Sequence, residues 1–329
     1  MEIIKKRKQL NKKIHNAKKI FLMAHKNLDL DALGSSIGLY NILKKQKKDC
    51  YLIIDDTKHE LGVEKILKEL DGCLKIVTGE KVKEVLHKNE KKNLLIILDT
   101  NKKDLVQNEA VLKQITTKVV IDHHGLGKNS IKDALMIQDD KASSTCEMIT
   151  NLLETCDAEL DPYFATILLS GIVLDTNNYT LKTTKETYYA SYYLASLGAS
   201  AKKVQYLLKQ DIKDYTERKK LLTRLTVLHG KIAFTKSTAS TIYRREDLAK
   251  TADTLLFFND IEASFVIGKI DKNTVGVSAR SLGNYNISNI LEKIGGGGDD
   301  YNGAAIFKNK SISQVEKLLK DEIKKQEGE

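Results

Sequence analysis

Short, unbroken apolar runs recur through the first half of the chain, with polar, helix-compatible stretches between most of them. A run that carries no polar residue is typical of a strand buried on both faces. Strands that alternate with helices favour a parallel sheet covered by helices on both sides. The runs that we interpret as strands are 20–24, 50–54, 76–77, 94–98 and 119–121. The sequence therefore predicts an α/β fold with a Rossmann-like parallel sheet in the first half.

Three of these predicted strands end at residues that can bind a metal ion or carry a proton, namely His25, Asp99 and the tripeptide Asp122-His123-His124. Ligands of open parallel sheets bind beyond the carboxyl ends of the strands. Burying three such side chains in a hydrophobic core would be costly. We therefore expect a functional site at this edge of the sheet, organised around the tripeptide.

The rest of the chain predicts a second, smaller domain. An apolar run, 165–174, leads into Asp175, and before it Ser143-Ser144-Thr145 opens a helix, either as an N-cap or as a phosphate site. Helices are predicted at 187–198, 201–228 and 311–325, and strands at 230–234, 263–269, 274–279 and 304–307. We predict a catalytic domain over 1–195, a helical linker over 196–229 and a smaller α/β domain with a mixed sheet over 230–329. The active site is expected in the cleft between the two domains.

The composition is that of an ordinary soluble protein, with 41% apolar and 30% charged residues, and 329 residues favour about two domains. The net charge of +10 is uneven, because the first fifty residues hold 13 Lys or Arg against 4 Asp or Glu, which leaves +9 there. Residues 2–19 carry Ile3, Leu10, Ile14 and Ala17 at helical spacing. We predict a basic helix that docks on the first domain. Docking to a membrane or to nucleic acid is the weaker alternative.

The cysteines and the lengths of the apolar runs indicate the compartment in which we expect the protein. The four cysteines show no Cys-x-x-Cys spacing, so we expect reduced packing residues rather than a disulfide or zinc framework. No apolar run approaches the roughly 20 residues that a membrane span requires, and the first residues lack a signal-peptide core. We expect a cytoplasmic protein without a transmembrane segment.

The candidate ligands predict a pair of hard divalent cations. They comprise two imidazoles and four carboxylates without a thiolate: His25, Asp29, Asp31, Asp99, His123 and Asp175. This mixture suits Mn²⁺ first and Mg²⁺ next, with Co²⁺ also possible, rather than structural zinc. Since Asp29 and Asp31 are two residues apart, each could face one of two ions while Asp99 bridges them. Two such ions can clamp an in-line phosphoryl displacement.

Four segments of the first half resemble, in order and spacing, the motifs of the DHH phosphoesterase family: His25-x-x-x-Asp29-x-Asp31-Ala32-x-Gly34-Ser35, Leu98-Asp99-Thr100, Asp122-His123-His124 and Gly171-Ile172-x-x-Asp175-Thr176. The second half resembles the DHH-associated C-terminal domain and is most similar to the catalytic module of cyclic-di-AMP phosphodiesterases. The segments that carry this likeness are 253–256, 263–267, 277–283 and the glycine run with residues 302–305.

The resemblance implies a role for each matching residue. The implied metal ligands are His25 and Asp29 for one ion, Asp31, His123 and Asp175 for the other, and Asp99 between the two. Asp122 would orient a ligand from behind. His124 would face the substrate phosphate, either as a hydrogen-bond donor or as the acid for the leaving oxygen.

The candidate substrate contacts are Ser144 in the first domain and Ser278, Arg280, Gly296, Gly297, Gly298 and Asp299 in the second. Arginine suits bidentate phosphate binding. The glycines would let backbone N–H groups approach a phosphate, whereas without the resemblance they would indicate a flexible turn. The family has a histidine where this chain has Asp299 and Asp300. A carboxylate there would repel a phosphate, so we expect this change to alter substrate preference.

The resemblance implies a phosphodiesterase that opens cyclic di-AMP to linear pApA with a hydroxide activated by two metal ions. An exonuclease of short oligonucleotides or a phosphatase of 3′-phosphoadenosine 5′-phosphate is the alternative. It is favoured because this sequence carries none of the transmembrane, PAS or GGDEF segments that usually precede the cyclic-di-AMP module. A nucleotide sensor with weak catalysis is the third reading. Cyclic dinucleotides or short linear oligonucleotides are the expected ligands, and a homodimer is the expected assembly.

Overall fold

The computed structural model describes residues 1–55, 59–156, 159–298 and 300–327. The chain divides into two compact units, Met1–Lys209 and Gln210–Glu329. Each unit contains one six-stranded sheet. The α/β fold class predicted from the sequence is confirmed.

The first unit is built on a parallel sheet with the strand order β3-β2-β1-β4-β5-β6. Its strands are β1 (Lys19–Met23), β2 (Asp49–Ile53), β3 (Ile76–Val77), β4 (Asn93–Leu98), β5 (Lys118–Asp122) and β6 (Leu135–Gln138). The first five were predicted to within about two residues. The edge strand β6 was missed, because three of its four residues are only half-buried and the apolar run is short.

Helices cover both faces of this sheet. They are α1 (Glu2–Lys5), α2 (Arg7–Asn16), α3 (Leu30–Lys45), α4 (Leu61–Glu69), α5 (Val82–Val85), α6 (Glu109–Gln114), α7 (Thr145–Glu154), α8 (Pro162–Asp175), α9 (Lys185–Ser196) and α10 (Ala201–Leu207). Along β1, Ile20 and Leu22 join the core that contains α3, α7 and α8, while Phe21 and Met23 join the core of α5 and α6. This double burial explains why the interiors of β1, β4 and β5 carry only apolar residues.

The strand order reverses between β1 and β4, which are neighbours at the centre of the sheet. From β1 the chain proceeds outward to β3, and from β4 it proceeds outward in the other direction to β6. In doubly wound sheets of this order, ligands bind outside the carboxyl ends of the strands at this switch point. The residues that follow β1 and β4 therefore hold the position where a site is expected.

The basic N-terminal segment docks on the first unit, as predicted. It forms two helices, α1 and α2, rather than one, with the break at Lys6. Ile3 and Leu10 are fully buried in the same core as β1, and Ile14 is nearly so. None of the helices in the described ranges is long and apolar enough to cross a membrane.

The second unit contains a mixed sheet with the strand order β11-β12-β10-β9-β8-β7, in which β8 and β9 are parallel and the other pairs antiparallel. Its strands are β7 (Thr226–Leu228), β8 (Ile232–Lys236), β9 (Ala263–Asp271), β10 (Thr274–Ser281), β11 (Gly297–Gly298) and β12 (Asn302–Lys308). Its helices are α11 (Ile212–Leu222), α12 (Arg245–Leu255), α13 (Ile287–Lys293) and α14 (Ile312–Glu327).

The single helix predicted over 201–228 is wrong. The segment contains α10, then α11, whose start is capped by Asp211 through a hydrogen bond from the Lys213 N–H of 2.7 Å. It ends in β7, which pairs with β8 across a turn at His229 and Gly230, both with positive φ. Glycine adopts that conformation readily, which makes it the residue suited to close such a turn.

Replacing Leu10 with alanine should lower the free energy of unfolding of the first unit by about 2–5 kcal/mol, because it leaves a cavity where a fully buried side chain packs. Urea unfolding followed by circular dichroism measures the change. Ile4→Ala is the matched control, since Ile4 lies on the same basic segment and is 40% exposed. Equal, small effects of the two substitutions would contradict the docked arrangement.

Candidate metal centre

The first two ligand candidates, His25 and Asp29, lie between β1 and α3. His25 follows β1, and its Nδ1 lies 2.7 Å from the carbonyl oxygen of Lys26. A proton on Nδ1 leaves the lone pair of Nε2 free to bind a cation. Asp29 is the N-cap of α3, because its Oδ1 accepts hydrogen bonds from the backbone N–H groups of Asp31 and Ala32 at 3.0 and 2.9 Å. Its other oxygen, Oδ2, lies 3.4 Å from His25 Nε2.

Asp31 is fully buried in the first turn of α3 and points at the start of α7. Its two oxygens accept hydrogen bonds from the first two N–H groups of that helix, those of Thr145 at 2.8 Å and Cys146 at 2.7 Å. A helix N-terminus favours negative charge, so this contact stabilises the carboxylate. The N-termini of α3 and α7 are thereby joined at the site.

Asp99 lies at the centre of the ligand candidates. It follows β4 with a left-handed φ of +59° and is 2% exposed. Its Oδ2 is 3.3 Å from His25 Nε2, and its Oδ1 is 3.4 Å from His123 Nε2. The Thr145 hydroxyl donates a hydrogen bond to Oδ1 at 2.9 Å. The two oxygens of one carboxylate therefore face two different histidines.

His123 faces three carboxylates. Its Nε2 lies 3.1 Å from Asp175 Oδ2, 3.4 Å from Asp99 Oδ1 and 4.0 Å from Asp31 Oδ2. The ring is buried, yet neither nitrogen has a hydrogen-bond partner among the residues that the structure describes. Buried polar groups are nearly always paired, so a partner of another kind is expected here.

These contacts fit divalent cations. Three groups of potential ligands have their atoms within 4.8 Å of one another: His25, Asp29 and Asp99; Asp31, His123 and Asp175; and Asp99, His123 and His124. Imidazole nitrogens and carboxylate oxygens without a thiolate suit Mn²⁺ or Mg²⁺. The ring nitrogens of buried His123 make no hydrogen bond among the described residues although carboxylates surround Nε2, and this observation favours a metal ion over a purely polar cluster.

The electrostatics of the cluster also favour cations. Burial raises the pKa of Asp31 well above its usual range, and the carboxylates of Asp99 and Asp175 raise it further. Burial would lower the pKa of His123, but Asp175 and Asp99 raise it well above its usual range. Burial would raise the pKa of Asp99, but His123 and His25 hold it well below its usual range. The buried carboxylates and imidazoles thus depend on one another's charge, and metal binding requires these ligands without their protons.

Asp122 contacts His124 rather than any of the six ligand candidates. Its Oδ1 lies 2.8 Å from His124 Nδ1 and also accepts a hydrogen bond from the His124 N–H at 3.2 Å. This contact places Asp122 behind the residue expected to face the substrate, and the role of Asp122 as a group that orients a ligand stays a prediction. The His124 side chain is 52% exposed, which leaves its Nε2 accessible.

Ser144 is fully buried and is the N-cap of α7, accepting a hydrogen bond from the Glu147 N–H at 3.0 Å. The N–H groups of Thr145 and Cys146 are bonded to Asp31. Of the two interpretations of the Ser-Ser-Thr cluster, the N-cap is confirmed, and a substrate contact of Ser144 stays a prediction.

Thr145 and Asn101 were not predicted as site residues. Thr145 bonds to two of the carboxylates, and the only hint in the sequence was its place at a helix start. Asn101 is 1% exposed and donates a hydrogen bond to Asp122 Oδ2 at 2.6 Å. Its position two residues after Asp99, at a strand end, was the available signal.

In the second unit, Ser278 and Arg280 lie on the same face of β10, because residues two apart along a strand share a face. The Arg280 Nε donates a hydrogen bond of 2.6 Å to Asp253 on α12, and its Nη1 donates one of 2.9 Å to the Ala279 carbonyl oxygen. Asp253 therefore holds the guanidinium in a fixed direction. Ser278 is buried, at 6% exposure.

The glycine run serves packing as well as access. A Cβ at Gly296 would lie 2.6 Å from that of Ala305, and one at Gly298 would overlap the carbonyl oxygen of Asn302. The Gly296 N–H already donates to the Leu291 carbonyl oxygen at 2.8 Å. Of the three glycines expected to contact a phosphate, Gly297 is the one with open space around it, so that role fits Gly297 best. The prediction for Asp299 lies outside the described residues.

Two family models match the chain. The N-terminal domain of the DHH family matches residues 19–172, and the DHHA1 domain matches residues 229–326. The chain belongs to the DHH family. Within the DHH domain lie all the ligand candidates up to His123, while Asp175 lies three residues beyond the matched range. The DHHA1 domain contains Ser278, Arg280 and the glycine run.

Two relatives match most of this chain in sequence. The cyclic-di-AMP phosphodiesterase GdpP of Geobacillus thermodenitrificans is 36% identical over 95% of this chain, which spans 48% of that protein. The bifunctional oligoribonuclease and PAP phosphatase NrnA of Thermus thermophilus is 25% identical over 93% of this chain and 90% of its own length. The chain thus spans about half the length of the first of these relatives and most of the second.

A solved structure supports the fold. An exopolyphosphatase-related protein from Bacteroides fragilis superposes with a TM-score of 0.79 at 20% identity, over 97% of this chain and 95% of that one. At this identity the likeness concerns the fold alone.

Mn²⁺ should raise the melting temperature of the wild-type DHH domain by about 5–10 °C at a hundredfold excess over its dissociation constant, since such binding adds about 2.7 kcal/mol to a unit of this size. Differential scanning fluorimetry with and without a chelator measures the shift. Asp99→Asn should lose most of it, because this carboxylate faces both histidines.

His15→Ala is the control for that measurement, because His15 is exposed on α2 and belongs to none of the three ligand groups. It should keep the wild-type shift. A full shift in Asp99→Asn would argue against the proposed centre.

Proposed function

We propose that the chain is a two-metal phosphodiesterase of the DHH family. The observation that carries this proposal is the position of Asp99, whose two carboxylate oxygens lie 3.3 and 3.4 Å from the Nε2 atoms of His25 and His123. Such a carboxylate is suited to bridge two cations about 3.5–4 Å apart, which is the spacing of two-metal phosphoesterase sites.

The two ions would be held by the residues on either side of Asp99. His25 and Asp29 would hold one ion, and Asp31, His123 and Asp175 the other. We propose Mn²⁺, with Mg²⁺ and Co²⁺ as alternatives, because the donors are imidazole and carboxylate. When bound, such a pair polarises phosphoryl oxygens and lowers the pKa of water.

The chain itself would supply a proton and phosphate contacts. We propose that His124 donates a proton from Nε2 to the leaving oxygen, because Asp122 occupies its Nδ1 and its ring is half exposed. Ser278, Arg280 and Gly297 are proposed contacts of a substrate phosphate. Arg280 suits that role because Asp253 holds its guanidinium in place.

Cyclic di-AMP is the proposed substrate, opened to linear pApA. The support is the 36% identity to a relative that is named as a cyclic-di-AMP phosphodiesterase and matches 95% of this chain. The alternative is the activity for which the Thermus relative is named, hydrolysis of short oligonucleotides or of 3′-phosphoadenosine 5′-phosphate. Its support is the match of that relative over 93% of this chain, at 25% identity. A nucleotide sensor, motivated by Asp299, is the third candidate.

The assay that tests this proposal compares turnover of cyclic di-AMP, pApA and 3′-phosphoadenosine 5′-phosphate side by side with Mn²⁺. We expect cyclic di-AMP to be cleaved fastest, with pApA as the product resolved by chromatography. Asp99→Asn should lower kcat/KM on the order of 10³-fold, because several kcal/mol of transition-state stabilisation depend on the metal pair. Asp71→Asn, at an exposed turn, is the control and should leave turnover unchanged.

Each competing function has its own outcome in this assay. Faster cleavage of pApA would favour the oligonucleotide alternative. Tight binding of cyclic di-AMP without turnover would favour the sensor. Equal activity of Asp99→Asn and the wild type would exclude the proposed centre. The cytoplasmic location and the homodimer expected from the sequence stay predictions, and light scattering tests the second.

A further inference from the structure

Behind His124 lies a chain of buried hydrogen bonds. Asp122 accepts from His124 Nδ1 on one oxygen at 2.8 Å and from Asn101 Nδ2 on the other at 2.6 Å. The opposite end of the Asn101 side chain, Oδ1, accepts from the Ser130 hydroxyl at 2.6 Å. The three residues behind the histidine are 0%, 1% and 7% exposed, in the order Asp122, Asn101 and Ser130.

The direction of these hydrogen bonds is determined. The Gly127 N–H donates to Ser130 Oγ at 2.9 Å, so the hydroxyl proton of Ser130 is available for Asn101 Oδ1. That bond fixes the amide with its NH₂ group towards Asp122. The reverse orientation would place an amide oxygen against a carboxylate. The carboxylate therefore receives a donor on each side, and the ring of His124 must carry its proton on Nδ1 to be one of them.

A purely structural role for Asn101 explains only part of this arrangement. Its main-chain oxygen accepts from the Ile131 N–H at 2.8 Å, which joins the loops after β4 and β5. Any residue could make that backbone bond. The side-chain amide donates to the buried Asp122 oxygen and lies within reach of the carbonyl oxygens of His124 and Gly125, at 3.2 and 3.3 Å, while its own oxygen accepts from Ser130. A buried carboxylate oxygen left without a donor would carry the full cost of its desolvation.

We propose that Asn101 is a positioning residue, supported by Ser130, that fixes the tautomer and the direction of the His124 imidazole through Asp122. This inference rests on the proposed phosphodiesterase function. With Nδ1–H held by Asp122, Nε2 is the nitrogen directed at the substrate. As the P–O bond to the leaving group breaks, the leaving oxygen keeps the electron pair and takes the proton from Nε2 of the doubly protonated ring, which remains as the Nδ1–H form. Water supplies the new oxygen on phosphorus and releases its proton to solvent.

The first test is the kinetic effect of Asn101→Leu, which removes the amide at nearly constant size. We expect kcat to fall about 10–100-fold, the usual range for residues that orient a catalytic or metal-binding group, while KM changes little. The Mn²⁺-induced rise in melting temperature should stay at the wild-type value, because no ligand candidate is altered. Ser130→Ala should change kcat in the same direction by less and serves where Asn101→Leu is poorly folded.

Asn93→Leu is the matched control. Asn93 is 3% exposed at the opposite end of β4 and also bonds through its side chain to a neighbouring segment, at the N–H and carbonyl oxygen of His87. It should destabilise the domain to a similar extent and leave kcat at the wild-type value. An equal loss of kcat in both variants would mean that Asn101 acts only through stability.

The second test is a double-mutant cycle with His124→Ala. If Asn101 acts through this histidine, Asn101→Leu should cause no further loss of kcat in that background. Losses that multiply would overturn the inference.

The third test does not need turnover. Long-range proton–nitrogen NMR of ¹⁵N-histidine-labelled protein with Mg²⁺ reports the tautomer of each ring, and the His124 signal is the one lost in His124→Ala. For the neutral ring, which is the form left after Nε2 has given up its proton, we expect a single Nδ1–H tautomer in the wild type and a mixture of tautomers in Asn101→Leu. An unchanged signal in Asn101→Leu would overturn the inference whatever the substrate. A wild type with this tautomer that cleaves no phosphodiester would instead overturn the proposed function alone.

Discussion

The site depends on one contact, the carboxylate of Asp31 against the N-terminus of α7. Two backbone N–H groups bond to it at 2.8 and 2.7 Å, and the side chain is fully buried. The approach requires small neighbours, because a Cβ at Gly171 would lie 2.5 Å from Cys146 Sγ and 2.9 Å from Asp31 Cα. The contact brings α3, α7 and α8 together below the carboxyl edge of the sheet, and α8 ends at Asp175.

The same contact concentrates negative charge in the buried interior of the first unit. Asp31, Asp99 and Asp175 lie around one buried imidazole, and burial and mutual repulsion raise the pKa of Asp31 and Asp175. A hydrophobic cluster at this place would have been more stable on its own. We interpret the arrangement as stability given up for cation binding, which ties the fold of the DHH domain to its metal ions.

The sequence predicted the parallel sheet and the convergence of the ligand candidates because both follow from simple rules. Unbroken apolar runs mark strands covered on both faces, and parallel strands present their carboxyl ends at one edge. It failed where local pattern competes with tertiary contacts. The segment 201–228 has helical composition throughout, but Thr226–Leu228 pairs with β8 instead. Ser144 was ambiguous because an N-cap and a phosphate site use the same residue types.

The backbone conformation of Asp99 determines how the ligand candidates are arranged. Its φ of +59° costs on the order of 1 kcal/mol for a residue other than glycine. The turn is held by the bond from its N–H to the Ile121 carbonyl oxygen at 3.0 Å, which links the ends of β4 and β5. An extended residue at this position would carry its side chain along another direction. The local strain is thus what directs one carboxylate oxygen to His25 and the other to His123, and the division into two ligand groups follows from this single residue.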